Sequence, residues 1–342
     1  MESEKYSLRV RNQKEGQSMS IVVLGSMNID QFFDVDHFVS PSETLRPLAV
    51  NRACGGKGLN QAIAASKAGS PVRMTGCLGK DGQELTQVLK NAGVNTADIQ
   101  IQESALSGQA VIQRTPDGEN AILLYPGAND QIECGYIDEI LDSMGSDDIL
   151  LIQNEISNLN HILNSANSRE IPVFFNPAPM SEEVKNADLS GIACLIVNEK
   201  EAVSLCGFAD QIPESQDVFI RLIEKTKPKR AVMTLGSKGA LCFEKPEQEN
   251  AVSSKSTTAG SIFRMPCFPA DVCDSTGAGD TFTGYLCSGI EQGLGFTDAI
   301  RKAAAAASVC VERKGAAPSI PSSEEAAERM NCYPDVQPYS IF

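Results

Sequence analysis

The stretch GLNQAIAASKAGSPVRMTGCLGKDGQELTQVLKNAG, residues 58–93, contains the pattern that decides the fold. Residues 58–69 are rich in alanine and end on glycine, as helices commonly do. Residues 72–78 form an apolar run typical of a buried strand, and residues 81–92 predict a second helix that ends before Gly93. The stretch therefore predicts a helix, a strand and a helix joined by short connections.

The same alternation continues along the chain. Further short apolar runs, each closed by a polar residue or by glycine, lie at residues 21–25, 148–153, 172–176, 193–198 and 230–236. Strands that are apolar along their whole length are buried on both faces, which is typical of parallel sheets covered by helices. We therefore predict an α/β fold with a doubly wound, mostly parallel sheet and helices on both faces. Ligands of such sheets bind beyond the carboxyl ends of the strands.

Two stretches interrupt this alternation, at about residues 31–53 and 107–125. In the second, two runs with a period of two flank Pro116-Asp117-Gly118, which is a hairpin signal. We predict that both stretches form a small β-sheet lid over the site. A small exposed sheet has open edges and an apolar face, and such surfaces are usually covered by a partner.

Charge and composition argue against several classes of function. The 342 residues carry a formal net charge of −15, which disfavours binding to nucleic acid or to an anionic membrane surface. The negative charge does not argue against a phosphate site, because backbone N–H groups and a helix N-terminus can bind an anion with few cations. The ligands that we expect are therefore small molecules.

Cysteine usage and hydropathy indicate the compartment. The 11 cysteines are scattered, without a C-x-x-C pair, and there are only two histidines, so a zinc site or a disulfide framework is not expected. No apolar run approaches the roughly 18 residues of a membrane span, and the polar N-terminus lacks the apolar core of a signal peptide. We predict a cytoplasmic protein, with nuclear entry left open.

The segment DSTGAGDTFTG, residues 274–284, is the strongest chemical motif. Gly277, Ala278 and Gly279 precede a predicted helix that starts near Asp280. Small residues allow backbone N–H groups to approach an anion, and the helix dipole adds positive potential. Asp280 could stabilise the helix N-terminus by about 0.3–1 kcal/mol, or it could accept a proton from a substrate hydroxyl. The segment matches neither the P-loop nor the G-x-G-x-x-G pattern.

Two further motifs suggest a site for hydroxyl groups. In CGGKGLNQAIAAS, residues 54–66, a glycine pair ending at Gly56 opens a helix whose first turn holds Lys57 and Asn60. Lys57 could equally be a solvated surface lysine. In GSMNID, residues 25–30, at the end of the first predicted strand, Asn28 and Asp30 alternate by two and would face the same side. The alternative is that they form a turn or a cap.

Taken together, these motifs resemble the PfkB carbohydrate kinase family, and in detail its ribose-phosphorylating members. The resemblance covers about residues 21–321. Besides the two glycine-rich motifs, the segments that match in order are PGAND (126–130), FNPAP (175–179), VNEKEA (197–202), TLGSKGA (234–240) and RKGAAPSIP (313–321). The resemblance implies an ATP-dependent kinase that phosphorylates the 5-hydroxyl of D-ribose to give ribose 5-phosphate and ADP.

The resemblance also implies roles for individual residues. Asp280 matches the general base, and the backbone of Gly277, Ala278 and Gly279 matches the anion hole. The positions that match sugar contacts are Asn28, Asp30, Gly56, Lys57, Asn60, Glu155 and Asp280. Those that match nucleotide contacts are Asn198, Thr234, Gly236, Gly239 and Gly279. Glu201 matches a residue that organises Mg²⁺ through water. The positions around a monovalent cation, expected to be K⁺, are Asp274, Thr276, Cys310, Arg313, Gly315 and Ser319.

The sequence leaves the adenine contact and two alternative functions undecided. In the sequence that follows the motif at residues 274–284, Ala304 stands where related kinases often carry a histidine near the adenine. One alternative function is a nucleoside kinase or another sugar kinase of the same family. A second alternative is an inactive sugar- or nucleotide-binding regulator, which the presence of Asp280 and of the anion-hole glycines disfavours. We expect a homodimer through the lid.

The predicted domain organisation has three parts. Residues 1–18 are expected to form a disordered leader, residues 19–321 the kinase domain with its lid, and residues 322–342 a polar, irregular C-terminal extension.

Overall fold

The computed structural model describes residues 20–208, 213–246 and 260–341. The strands are β1 (Ile21–Leu24), β2 (Asn28–Asp34), β3 (Ala49–Gly55), β4 (Val72–Gly79), β5 (Ile99–Gln102), β6 (Gly108–Arg114), β7 (Asn120–Tyr125), β8 (Ile149–Gln153), β9 (Val173–Asn176), β10 (Cys194–Asn198), β11 (Arg230–Thr234), β12 (Ala240–Glu244), β13 (Ser261–Met265) and β14 (Tyr339–Ser340). The helices are α1 (Lys57–Lys67), α2 (Gln83–Asn91), α3 (Cys134–Asp142), α4 (Leu159–Ser168), α5 (Glu182–Asn186), α6 (Glu199–Cys206), α7 (Ser215–Thr226), α8 (Ala278–Glu291), α9 (Phe296–Cys310) and α10 (Ser323–Cys332).

The large sheet has ten strands in the order β5-β4-β1-β8-β9-β10-β11-β12-β13-β14. The first seven strands of that order (β5, β4, β1, β8, β9, β10 and β11) are parallel, and β12, β13 and β14 are added at one side, each antiparallel to its neighbour. The predicted mostly parallel α/β sheet is therefore confirmed. Its carboxyl edge carries Asn176, Asn198 and Thr234 at the ends of three neighbouring strands.

Apolar side chains cover both faces of this sheet, as the uninterrupted apolar runs predict. In β1, Ile21 and Val23 pack into one core cluster, and Val22 and Leu24 pack into another. Helices α1, α2, α8, α9 and α10 contribute to the first cluster, and helices α3, α4, α6 and α7 to the second. The sheet is thus doubly wound.

A separate four-stranded sheet in the order β3-β2-β6-β7 forms the lid. Its two inner strands are parallel, and each pairs antiparallel with an outer strand. The hairpin predicted around Pro116-Asp117-Gly118 is present between β6 and β7, closed by a bond from Thr115 N to Glu119 O of 3.1 Å. The placement of Asn28 and Asp30 at the end of the first strand was wrong. Strand β1 ends at Leu24, and both residues begin the lid strand β2.

The C-terminal region differs from the expected irregular extension. The segment Ser322-Ser-Glu-Glu325 forms a capping box that starts α10, whose Ala326 is fully buried. Strand β14 then pairs with β13 at the edge of the large sheet. The expectation was wrong because α10 fully buries only Ala326, so its sequence has little apolar periodicity to indicate a helix. The predicted leader, residues 1–18, lies outside the described residues.

Two further observations concern the whole described chain. All eleven cysteines are free thiols. Among residues 20–208, 213–246 and 260–341, no helix is both long and apolar enough to cross a membrane.

Candidate active site

The N-termini of helices α1 and α8 meet at the carboxyl edge of the large sheet. The two helices pack closely because Gly284 has no side chain: a Cβ there would lie 2.5 Å from the Cβ of Ala64. At the start of α1, Gly56 has a φ of 94° and Gly58 lies against Ser26, so glycine is required for the close approach of this turn. The glycines of both motifs therefore bring the two helix ends to one site.

Asp280 lies in the first turn of α8 and is held by two amides. Asn60 Nδ2 donates to Asp280 Oδ2 at 3.1 Å, and Gln61 Nε2 donates to Asp280 Oδ1 at 2.9 Å. Burial raises the pKa of Asp280, while the positive charge of Lys57 and the two amide donors oppose that rise. Asn60 Oδ1 is buried without a hydrogen-bond partner among the described residues. An unpaired acceptor beside a cavity is suited to a ligand hydroxyl.

Lys57 is part of this centre and is not a solvated surface lysine. Its Nζ lies 3.5 Å from Glu155 Oε1, and its backbone N–H donates to Glu155 Oε2 at 3.2 Å. Ser26 Oγ also donates to Glu155. Burial alone would lower the pKa of Lys57, but the charges of Asp280 and Glu155 outweigh it and raise the pKa. Lys57 is therefore cationic between two carboxylates.

Asn28 and Asp30 face the same centre from the lid. Asn129 Nδ2 donates to Asn28 Oδ1 at 2.8 Å, which fixes the Asn28 side chain. Asp30 lies against Gly55, where a Cβ would come within 1.9 Å of Asp30 Oδ2. Burial, with the charges of Glu155 and Asp280, raises the pKa of Asp30 to about 7, although Lys57 opposes the rise.

A cavity of about 1170 Å³ joins these residues to the lid. The predicted site residues that line it are Asn28, Asp30, Gly56, Lys57, Asn60, Glu155, Asp274, Thr276, Gly277 and Asp280. From the lid, apolar and charged side chains face the same space, namely Phe32, Asp34, Leu48, Ile112, Arg114, Ile122 and Leu124. The cavity thus has a polar floor of hydrogen-bonding groups and a largely apolar cover.

The anion-hole segment has two kinds of glycine. Gly277 adopts a φ of 79°, and a Cβ there would lie 2.9 Å from Ala316 Cα. Gly279 is in the first turn of α8, and in the described parts of the chain no atom beyond its chain neighbours and the backbone of its own helix lies within 4 Å of the position of a Cβ. The fold itself therefore requires Gly277 but gives no steric reason for Gly279. A ligand that approaches the helix N-terminus would supply that reason.

The residues predicted for the nucleotide lie along the same sheet edge but do not line the cavity. Asn198 and Thr234 are register partners at the ends of β10 and β11. Gly236 and Gly239 have positive φ in the turn that follows, and a Cβ on Gly239 would lie 2.1 Å from Met265 O.

Glu201 is part of the same edge through Asn198. Its two oxygens accept bonds of 2.8 Å from Asn198 N and Asn198 Nδ2. Burial raises the pKa of Glu201, and the hydrogen bond from Asn198 and the charge of Lys57 oppose that rise. Glu201 therefore interacts electrostatically with Lys57, although it does not line the cavity.

The residues predicted around a monovalent cation form a second cluster beside Gly277. Asp274 accepts hydrogen bonds from Thr276 N at 2.9 Å, from Thr276 Oγ1 at 2.6 Å and from Gly315 N at 2.9 Å. Burial alone would raise the pKa of Asp274, but these donors lower it. Cys310 Sγ lies 3.0 Å from Ser319 Oγ and 3.9 Å from the carbonyl oxygen of Thr276.

The backbone N–H of Arg313 links it to that cluster by donating to the carbonyl oxygen of Cys310 at 3.1 Å. Its guanidinium forms an ion pair with Glu325 at the start of α10.

Several residues of the site were not singled out from the sequence. They are Ser26, Gln61, Asn129, Gln153 and Asn176, which bind Glu155, Asp280, Asn28 and one another. All but Gln153 lie inside motifs that the sequence analysis quotes, so the signal was present. Their hydrogen-bond partners are distant in sequence, and that information comes only from the fold.

Comparisons with known proteins agree with this geometry. The family described as "pfkB family carbohydrate kinase" matches residues 18–323. The ribokinase of Schizosaccharomyces pombe is 33% identical over 317 residues, which cover 89% of this chain and 95% of that protein. The ribokinase of Haemophilus influenzae is 31% identical over 316 residues, which cover 90% of this chain and 97% of that protein.

Solved structures give the same result. The ribokinase of Cryptococcus neoformans in complex with ADP superimposes with a TM-score of 0.76 and 32% identity, covering 92% of this chain and all of that one (100%). The ribokinase of Arabidopsis thaliana complexed with ribose and ATP gives a TM-score of 0.77 and 28% identity, covering 92% and 99%. The chain belongs to the pfkB family of carbohydrate kinases. It is an ATP-dependent carbohydrate kinase.

Proposed function

We propose that this enzyme phosphorylates the 5-hydroxyl of D-ribose, with Asp280 as the general base. The observation that carries the proposal is the convergence of Asp280, Asn60, Lys57, Glu155 and Asp30 on the floor of one cavity. Such a cluster of carboxylates and amides suits a small polyhydroxy ligand, because each sugar hydroxyl can donate to one group and accept from another. The names of the relatives support ribose as that ligand.

In the proposed reaction, the oxygen of the sugar hydroxyl attacks the γ-phosphorus of ATP while Asp280 accepts the proton of that hydroxyl. A bond forms between that oxygen and phosphorus, the bond between phosphorus and the β,γ-bridging oxygen breaks, and ADP leaves. The backbone N–H groups at Gly277, Ala278 and Gly279 would stabilise the charge on the transferring group. A donor of this kind typically contributes about 10²–10³ in rate.

Magnesium would neutralise charge on the nucleotide phosphates when it is bound. Glu201 suits contact through water, because both of its oxygens already accept hydrogen bonds from Asn198. We propose a monovalent cation, K⁺, at the Asp274 cluster, where backbone carbonyls and the Ser319 hydroxyl could face an ion. Asp274 then serves mainly to hold the loop, since its oxygens accept three hydrogen bonds.

The substrate is tested by measuring ADP formation with ribose, 2-deoxyribose, fructose, adenosine and pseudouridine, each with Mg²⁺ and with K⁺ or choline as the monovalent cation. We expect ribose to give the highest kcat/KM and K⁺ to increase it. A higher kcat/KM with a nucleoside than with ribose would contradict the substrate assignment. Equal rates with K⁺ and with choline would contradict the cation assignment.

We also propose a homodimer in which the lids of two copies pair. Large apolar side chains of the lid that do not line the cavity are more than half exposed in the single chain, namely Val50, Leu123 and Tyr125. Exposed apolar groups on a small sheet are typical of a contact surface. Sedimentation should give a dimer at micromolar concentration that Leu123→Asp converts to monomer. The control Ile101→Asp, at an exposed residue of β5 on the edge of the large sheet, should remain dimeric. A monomeric wild-type protein would contradict this proposal.

The free thiols support a cytoplasmic location, because disulfides are rare in reducing compartments. Recovery of the protein in a membrane or secreted fraction of its cells would contradict this assignment.

A further inference from the structure

A chain of amide side chains lies behind Asp280, on the side away from the cavity. Gln61 Nε2 donates both to Asp280 Oδ1 at 2.9 Å and to Asn176 Oδ1 at 3.1 Å. Gln153 Nε2 donates to Gln61 Oε1 at 2.8 Å, and Asn176 Nδ2 donates to the carbonyl oxygen of Ile196 at 2.9 Å. Gln61 and Gln153 are fully buried, and neither lines the cavity. The amides therefore contact the carboxylate but not the substrate.

The direction of every hydrogen bond in this chain follows from the charge of Asp280. An ionised carboxylate only accepts hydrogen bonds, so Gln61 must turn its NH₂ group toward it. The oxygen of Gln61 then faces Gln153, which must turn its own NH₂ group toward Gln61. As a result, Gln153 Oε1 is left buried without a hydrogen-bond partner in the described parts of the chain.

The fold keeps this arrangement although it is unfavourable. A buried acceptor without a partner costs about 1–3 kcal/mol. Space for the Gln153 amide exists only because residue 25 is glycine: a Cβ on Gly25 would lie 2.2 Å from Gln153 Oε1. An apolar side chain at residue 153 would avoid the cost, so the buried amide is explained best by what it does to Gln61.

We propose that Gln61, held in place by Gln153 and Asn176, is a positioning residue that fixes the orientation of the Asp280 carboxylate for proton transfer. This proposal rests on the proposed role of Asp280 as the base. Asn60 holds one oxygen of that carboxylate and Gln61 holds the other, so the plane of the group is defined only when both amides are present. Without Gln61 the carboxylate can rotate, and a misplacement of about 1 Å can cost about 10²-fold in rate.

The test compares Gln61→Met, which keeps the length of the side chain but has no N–H donor, with Asp280→Asn and with Gln87→Met. Gln87 is an exposed glutamine of α2 whose amide contacts Asn91, so it is a matched control. For each variant, kcat and the KM for ribose are measured between about pH 5 and pH 9. Thermal unfolding and the Kd for ADP are measured alongside.

For Gln61→Met we expect a loss of about 10²-fold in kcat, with the KM for ribose and the Kd for ADP within about threefold of wild type. The acidic limb of the kcat profile should move to higher pH, because the lost donor favours the ionised form of Asp280. A loss of packing alone would lower thermal stability without moving that limb. Gln87→Met should match the wild type.

The outcomes separate this proposal from the proposed function. If Asp280→Asn is inactive while Gln61→Met has the wild-type kcat and pH profile, the positioning role is wrong and the base role stands. If Asp280→Asn keeps wild-type activity, the base role itself is wrong.

A second variant applies if Gln61→Met does not fold. In Gln61→Glu, two carboxyl groups in hydrogen-bond contact would share one proton and could not both ionise. The acidic limb should then move upward by more than about one pH unit. A wild-type profile for Gln61→Glu would overturn the proposal.

Discussion

Gly279 gives the most informative single substitution, because stability and activity should change in opposite directions. In Gly279→Ala, the new Cβ has no neighbour within 4 Å among the described residues outside the backbone of its own helix, and the residue lies in the first turn of a regular helix. The fold should therefore accept alanine without strain. The same methyl group projects beside the backbone N–H groups that we assign to the transferring phosphoryl group.

The magnitude follows from helix energetics. A Gly→Ala change at a compatible helical site stabilises a protein by about 0.4–1 kcal/mol, mainly by restricting the unfolded chain. Gly277→Ala provides the contrast, because residue 277 has a φ of 79° and its Cβ would lie 2.9 Å from Ala316 Cα. An alanine in the left-handed region costs about 1–2 kcal/mol before any clash is counted.

The assay combines urea denaturation with a coupled measurement of ADP formation. Gly279→Ala should have a free energy of unfolding equal to or higher than the wild type, while its kcat falls by about 10²-fold or more. Gly277→Ala should lose both stability and activity. Full activity of Gly279→Ala would refute the assignment of this helix terminus as the anion hole, and marked destabilisation would refute the statement that the site is sterically open.

Two further predictions concern charge. Because burial and the charges of Glu155 and Asp280 raise the pKa of Asp30 to about 7, the folded state binds this proton more tightly than the unfolded state. The stability that Asp30 contributes should therefore decrease as the pH rises from about 4 to about 7, so wild type should lose stability relative to Asp30→Asn over this range. A stability difference between the two that does not change with pH would contradict the raised pKa. At the C-terminal helix, Arg329 bonds Glu312 at 2.6 Å and the Pro269 carbonyl oxygen at 2.5 Å, and it is largely buried. Arg329→Ala should lower the free energy of unfolding by about 1–3 kcal/mol, whereas the exposed Arg221→Ala should change it by less than about 0.5 kcal/mol, as urea denaturation would measure. Equal effects would show that Arg329 does not hold the segment before Asp274.

The alternation of elements could be predicted from the sequence because burial on both faces leaves a local signal. The run at residues 72–78 is strand Val72–Gly79, and the segment at residues 81–92 contains helix Gln83–Asn91. What the local pattern could not give is the pairing of distant strands. Strands β2 and β6 are parallel neighbours, although Asn28 and its partner Gly108 are far apart in sequence. Asn28 and Asp30 were assigned to the end of the first strand because the break between β1 and β2 is only three residues long, Gly25 to Met27.

The parts of the site that could be predicted are those whose chemistry is evident from one residue or one short motif. The small residues of the motif at residues 274–284 indicated an anion site before a helix, and Asp280 lies in the first turn of that helix. The amides around Asp280 were missed, because glutamine and asparagine are neutral and their role depends on partners from other elements. Lys57 was ambiguous for a related reason: its function is defined by Glu155 from another part of the chain.

The most direct test of the central claim is a single-turnover measurement of phosphoryl transfer to ribose with the wild type and with Asp280→Asn. If Asp280 is the general base, the rate of transfer should fall by about 10²–10⁴-fold, while the Kd values for ribose and ATP stay within a few-fold of wild type. A variant that binds both ligands and transfers the phosphoryl group at the wild-type rate would contradict the account.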